Sequence, residues 1–97
     1  MVEKPTITLE DGPSKGRYVA RIEGLSNAEM TFSRANPHLV IVDHTGVPDE
    51  MRGMGVGKAL VARIVEDARA GDFKIIPFCP FAKATFERTP EWRDVLN

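Results

Sequence analysis

A single cysteine among 97 residues rules out an internal disulfide. The fold must stand on packing, and a reducing cytoplasm is the simplest setting. Charge of one sign is also lacking: 13 Lys and Arg against 14 Asp and Glu leave a net charge of −1. That removes any general attraction to nucleic acid or to an anionic membrane surface. No apolar run approaches the roughly 20 residues of a membrane span. Met1-Val2-Glu3-Lys4-Pro5 opens no signal-peptide core. Repeats and low-complexity tracts are absent, and no metal site is read from the chain. What remains suits one compact domain, able to bury roughly 60% of its unfolded surface around one modest core.

Residues 1–15 mix Pro5, Asp11, Gly12, Pro13 and Ser14 with Ile7 and Leu9, and read as a tail or short edge strand; residues 16–97 read as the domain. From Arg17 the pattern alternates, with Tyr18, Ala20 and Ile22 on one face and Arg17, Val19, Arg21 and Glu23 on the other. Gly24-Leu25-Ser26-Asn27 breaks this strand, and Ala28, Met30 and Phe32 define a second. Arg34-Ala35-Asn36-Pro37 turns the chain again. Leu39-Val40-Ile41-Val42, within a third strand from His38 to Thr45, is continuously apolar, as expected of a strand covered on both faces. The three should form an antiparallel meander. A helix is expected from about Gly55, with Val56, Leu60, Val61, Ile64, Val65 and Ala68 facing the core and Gly71 as a left-handed cap. Phe73 to Cys79 then reads as a strand parallel to residues 39–45, with Pro77 limiting its pairing. Short helices should start at Pro80 and Pro90.

The centre of interest is Arg52-Gly53-Met54-Gly55-Val56-Gly57-Lys58, between that apolar strand and the helix. Glycines in alternation at a helix start leave main-chain N–H groups uncovered at the positive end of the helix dipole, an anion site suited to phosphate. A P-loop needs four residues between its first glycine and the Gly-Lys pair, then Ser or Thr. Here three residues separate Gly53 from Gly57-Lys58, and Ala59 follows. A dinucleotide fingerprint needs a third glycine where Leu60 stands. The remaining readings are a glycine turn that merely packs helix on strand, and a loop for a different phosphate.

Arg52-x-x-Gly55-x-Gly57, after a strand and opening a helix with Leu60, resembles the acyl-CoA motif of the GNAT (Gcn5-related) N-acetyltransferases. The chain resembles more narrowly the small single-domain GNAT-like proteins of about half the usual length. The residues that carry this are His44-Thr45-x-Val47-Pro48, Arg52 to Val61, and Pro77-x-Cys79-Pro80-Phe81 with Pro90-Glu91 beyond. The resemblance implies a minimal GNAT-like α/β (α+β) fold: antiparallel strands leading into a β-α-β acyl-CoA unit, then short C-terminal helices. It implies acetyl-CoA or CoA as cofactor. The N–H groups of Met54, Gly55, Val56, Gly57 and Lys58 would hold the pyrophosphate, with Gly55 and Gly57 lacking the side chains that would block it. Arg52 and the Lys58 side chain would add charge, and main-chain groups around Asp43, His44, Thr45 and Val47 would bind the pantetheine arm and polarise the thioester.

Three roles are open to Cys79: accepting the acetyl group, touching the cofactor sulfur, or filling the core as a small hydrophobe. His44 is a candidate general base or a side chain that fixes the loop; His38 reads as a surface turn residue. Asp43 and Glu50 are nearby carboxylates that read equally well as solvated charge. Small-family members commonly carry an acidic residue where Gly46 stands, Tyr where Thr85 stands and His where Thr89 stands, so the acid–base groups of larger relatives are missing. The resemblance implies transfer of acetyl to an amine. With no N-terminal helices to enclose an acceptor, an exposed protein lysine or N-terminus is expected. The rivals are a CoA-binding module with little or no catalysis and an interaction domain that binds nothing at the loop. A monomer or weak dimer is expected.

Overall fold

The alternation at residues 17–23 and 28–33 becomes two antiparallel strands, β2 (Lys15–Arg21) and β3 (Ala28–Asn36). Tyr18, Ala20, Ala28, Met30 and Phe32 share one face and are buried there, as a period of two requires. In the computed structural model, which describes residues 4–97, β1 (Thr6–Asp11) and β4 (Leu39–Gly46) flank this pair, and β5 (Lys74–Pro77) completes the sheet in the order β1-β2-β3-β4-β5. Strands β2 to β4 form the expected antiparallel meander, and β1 extends it at the edge. β5 lies parallel to β4, and helix α1 (Val56–Gly71) makes the crossover. Leu60, Val61, Ile64, Val65 and Ala68 of α1 are buried, the one-sided stripe that their spacing dictates. Full burial of side chains such as Leu60 and Ile64, both 0% exposed, stabilises the fold by about 1.5–3 kcal/mol each.

Helix α2 (Pro80–Glu87) starts with Pro80 in its first turn, where a missing N–H costs nothing. A 3₁₀ segment, Pro90–Val95, follows, and Trp92 meets Phe86 edge-on with ring centroids 6.1 Å apart. Ala82 and Phe86 enter the same core as α1, so the molecule has two layers, helices on one face of the sheet and an open face on the other.

Three sequence expectations are corrected. β4 is covered on one face only: Val40 and Val42 are buried, while Leu39 and Ile41 are half-buried, because all the packed helices lie on the side of Val40. Val19, placed among the charged residues, is only 2% exposed, enclosed between Thr8 and Glu29 of the neighbouring strands. The left-handed cap of α1 is Asp72, at φ 55°, not Gly71. Gly71 stays helical with the Phe73 ring against it, and Asp tolerates the left-handed region better than most residues. The stretch expected as a tail or edge strand forms an edge strand: β1 pairs with β2 along its whole length and Ile7 packs on the core; residues 1–3 of that stretch lie outside the described residues.

Candidate functional site

β4 and β5 part at Val42. Their register ends at Val42 opposite Pro77, which has no N–H to donate, and the last main-chain bond between the two segments is Cys79 N–H to Val42 O at 3.0 Å. β5 stops there and the chain turns into α2, while β4 continues to Gly46. The end of β4 therefore has strand β3 on one side and, among the described residues, no strand on the other.

A bulge acts on the same segment. Phe32 pairs with Val42 but Thr31 pairs with His44, leaving Asp43 as the extra residue. An inserted residue reverses the alternation beyond it. His44 thus shares the open face with Thr31, whereas Thr45, opposite Met30, turns toward the helices. Asp43 accepts a hydrogen bond from Ser33 Oγ at 2.6 Å on the open side. His44 and Thr45 are consecutive, yet they serve opposite faces of the sheet.

Beyond β4 the chain passes Pro48 into a short 3₁₀ turn, Asp49–Met51, and reaches the glycines. Gly53 and Gly55 adopt φ of +78° and +74°, and a Cβ at either would meet nothing within 4 Å. The left-handed backbone demands glycine at both, and the space beside them is open. Arg52 N–H bonds to Asp49 O and Met54 N–H to Met51 O, at 3.0 and 3.2 Å. The first helical bond of α1 is Ala59 N–H to Gly55 O at 2.9 Å, and Gly55 supplies no side-chain cap. Of the five main-chain donors expected to hold an anion, Met54's is thus engaged. Those of Gly55, Val56, Gly57 and Lys58 have no hydrogen-bond partner among the described residues. They sit at the positive end of a 16-residue helix, where an anion is stabilised.

These donors border a cavity of about 440 Å³. Thr45 and Val47 line it from β4 and its continuation, Met51 and Arg52 from the 3₁₀ turn, Gly53, Gly55, Val56, Gly57 and Lys58 from the loop, and Phe81 from α2. Eight of the residues singled out in the sequence come together here; Met54, His44 and Cys79 do not line it. Met54 packs partly on the core. The Arg52 side chain is 80% exposed, 3.2 Å from Asp49, a surface pair that holds it weakly. Lys58 is exposed on the first turn of α1. Glu50 is tied elsewhere: it accepts the Ser26 N–H at 2.6 Å, which lowers its pKa below the ordinary value.

Gly57 is glycine for a different reason from Gly55. A Cβ there would lie 2.7 Å from Phe81 Cε1 and closer still to Cζ, so the place of the missing side chain belongs to the Phe81 ring. The sequence reading, in which Gly57 kept clear of phosphate, missed this contact between residues 24 positions apart. Phe81 itself, 37% exposed, was quoted only as part of a motif. Its exposure next to a glycine-lined cavity is the signal that would have found it.

A broader concavity of about 600 Å³ lies on the open face. Its polar side chains largely bond one another: Arg17 pairs with Glu10, and Ser33 with Asp43. The cavity at the start of α1 instead presents donors without partners.

The sequence pattern of the GCN5-related N-acetyl-transferases matches residues 17–95. The chain belongs to this family. It is also similar to a GCN5-like N-acetyltransferase candidate from Staphylococcus aureus with a solved NMR structure. The two are 36% identical, with a TM-score of 0.71 over 93% of this chain and 87% of the other. The strand–loop–helix unit of this GNAT domain is the part that forms the cavity.

Within the GNAT fold, Cys79 is 4% exposed and precedes the first turn of α2, its thiol donating to Thr45 Oγ1 at 3.5 Å. That contact joins α2 to the cavity-lining face of β4. Thr85 and Thr89 are buried. Their hydroxyls turn back onto their own segment, Thr85 Oγ1 to Phe81 O at 2.9 Å and Thr89 Oγ1 to Thr85 O at 2.8 Å. Both donors are satisfied locally and support α2. Gly46 has no side chain to offer, and a Cβ there would touch only the His44 ring.

Proposed function

We propose that the chain binds acetyl-CoA at the loop of residues 52–58 and passes the acetyl group to an amine on an exposed lysine or N-terminus of a protein or peptide. The observation that carries this reading is the set of four unpartnered N–H groups, Gly55 to Lys58, opening on the same cavity as Thr45 and Val47. The residues fit a diphosphate: the donors are adjacent, Gly55 leaves the approach clear, and Arg52 and Lys58 add positive charge. Acetyl-CoA, when bound, supplies an activated acetyl thioester. The N–H groups of the loop hold its diphosphate, and the main chain from Thr45 to Val47, free of a strand on that side, aligns the arm. A main-chain donor there would polarise the thioester carbonyl, and as the C–N bond formed the C–S bond would break, with CoA leaving as its thiol. Cys79 fixes Thr45 and keeps the end of β4 in place. His44 stands on the open face, so it can take the amine's proton only if the acceptor arrives from that face. Nothing among the described residues encloses that side, which agrees with a macromolecular acceptor.

A second reading has its own support. Gly46, Thr85 and Thr89 place no free acid or base at the cavity, so the domain would serve as a CoA-binding module with little turnover. Both readings require CoA and acetyl-CoA to raise the melting temperature, since a ligand selective for the folded state must do so. They differ in thiol release from acetyl-CoA in the presence of lysine-containing and free-N-terminal peptides. Release that depends on peptide identifies the transferase, and a fall in His44→Ala assigns the proton to His44. A thermal shift without release identifies the module, and no shift at millimolar ligand removes both.

A further inference from the structure

Helix α2 sends one side chain into the cavity, Phe81. Its first turn is tied to both cavity walls: to β4 through the Cys79 thiol on Thr45 Oγ1, and to α1 through the Phe81 ring against Gly57. A ligand whose anionic end takes the N–H groups of Gly55 to Lys58, and whose other end reaches Thr45, has to run along that ring. The ring is large, apolar and 37% exposed, whereas Phe86 of the same helix is 2% exposed and packed in the core.

We infer that Phe81 is a positioning residue of the ligand slot: its ring forms the wall for the arm that joins diphosphate to thioester, and Gly57 is glycine because that ring needs its place. This rests on the CoA reading of the loop and deepens it. The third glycine of the stretch acts on the ligand through Phe81, not by clearing the phosphate. Gly55 and Gly57 therefore have separable functions, one for the anion and one for the arm.

Isothermal titration of wild type, Phe81→Ala, Gly57→Ala and the double variant tests this with two probes: CoA, and 3′-phospho-ADP, which is CoA without its arm. Melting curves establish that each variant is folded. Phe81→Ala should weaken CoA about tenfold, the scale of losing one aromatic contact surface, and leave 3′-phospho-ADP within about twofold. Gly57→Ala should weaken CoA by expelling the ring, and should add little in the Phe81→Ala background, where the ring is gone. Equal weakening of both probes by Phe81→Ala, or no weakening of CoA, overturns the assignment. So does a full effect of Gly57→Ala in the double variant. If Gly57→Ala does not fold, Phe81→Leu beside Phe81→Ala decides, with an intermediate CoA affinity expected and equal affinities contradictory. Failure of wild type to bind either probe overturns the loop reading as well. CoA binding that ignores Phe81 overturns only this inference.

Discussion

The β1–β3 half of the sheet and the β4–α1–α2 half treat their polar groups in opposite ways. In the first half charges are matched across strands: Arg17 reaches Glu10 of β1 at 2.7 Å and Glu29 of β3 at 2.8 Å. Arg34 pairs with Asp11, and Arg63 donates to the β1 main chain at Ile7 O, 3.1 Å away. Tyr18, 2% exposed, donates to Asp67 of α1 at 2.7 Å. In the second half β4 outruns its partner strand, four helix-end donors are unpartnered, two glycines hold left-handed backbone, and Phe78 and Phe81 expose aromatic surface at 73% and 37%. The same helix α1 belongs to both: its middle packs beneath the meander and its start opens the cavity. The contrast separates the residues that keep the chain folded from those that the proposed function assigns to a ligand.

Substitutions can break or sharpen that contrast. The largest loss of stability is expected from Ile64→Ala, where α1 packs at 0% exposure: about 2–5 kcal/mol in urea unfolding, felt by both halves together. Gly55→Val comes next. A β-branched residue at φ +74° should cost about 1–3 kcal/mol and abolish the CoA-dependent rise in melting temperature while the protein stays folded. Tyr18→Phe should cost about 1 kcal/mol and leave CoA affinity unchanged.

The Tyr18 variant also carries a pH test. Burial, and then the hydrogen bond to Asp67, raise the Tyr18 pKa well above its ordinary 10.0. A raised pKa means stability that is complete below pH 10 and declines above it, as the unfolded chain ionises first. Tyr18→Phe should flatten that alkaline decline. The smallest effect belongs to Arg17→Ala: both of its ion pairs are solvent-exposed, and such pairs are worth little. Its melting temperature should be close to that of wild type, lower at low salt if at all.

The elements were legible where local pattern governs. Alternation at Tyr18-Ala20 and Ala28-Met30-Phe32, the stripe from Val56 to Ala68, and Pro80 at a helix start all appear where the residues place them. The left-handed glycines could also be read, because Gly53 and Gly55 occupy a turn that leads straight into a helix. What escaped depends on register or on distant contacts. The bulge at Asp43 arises between β3 and β4 and puts His44 and Thr45 on opposite faces, which no single strand's pattern reveals. Gly57 looked like Gly55 until Phe81, from another helix, filled its missing side chain. The one-sided cover of β4 depends on where α2 docks, which the apolar run Leu39 to Val42 does not encode.

The measurement closest to the central claim is a titration of ¹⁵N-labelled protein with CoA, following the backbone amides. The account predicts saturable shifts largest at Gly55, Val56, Gly57 and Lys58, with Thr45 and Val47 moving and the amides of β1 and β2 still. Absence of shifts at millimolar CoA, or shifts confined to the open face around Arg17, Thr31 and Ser33, would contradict it.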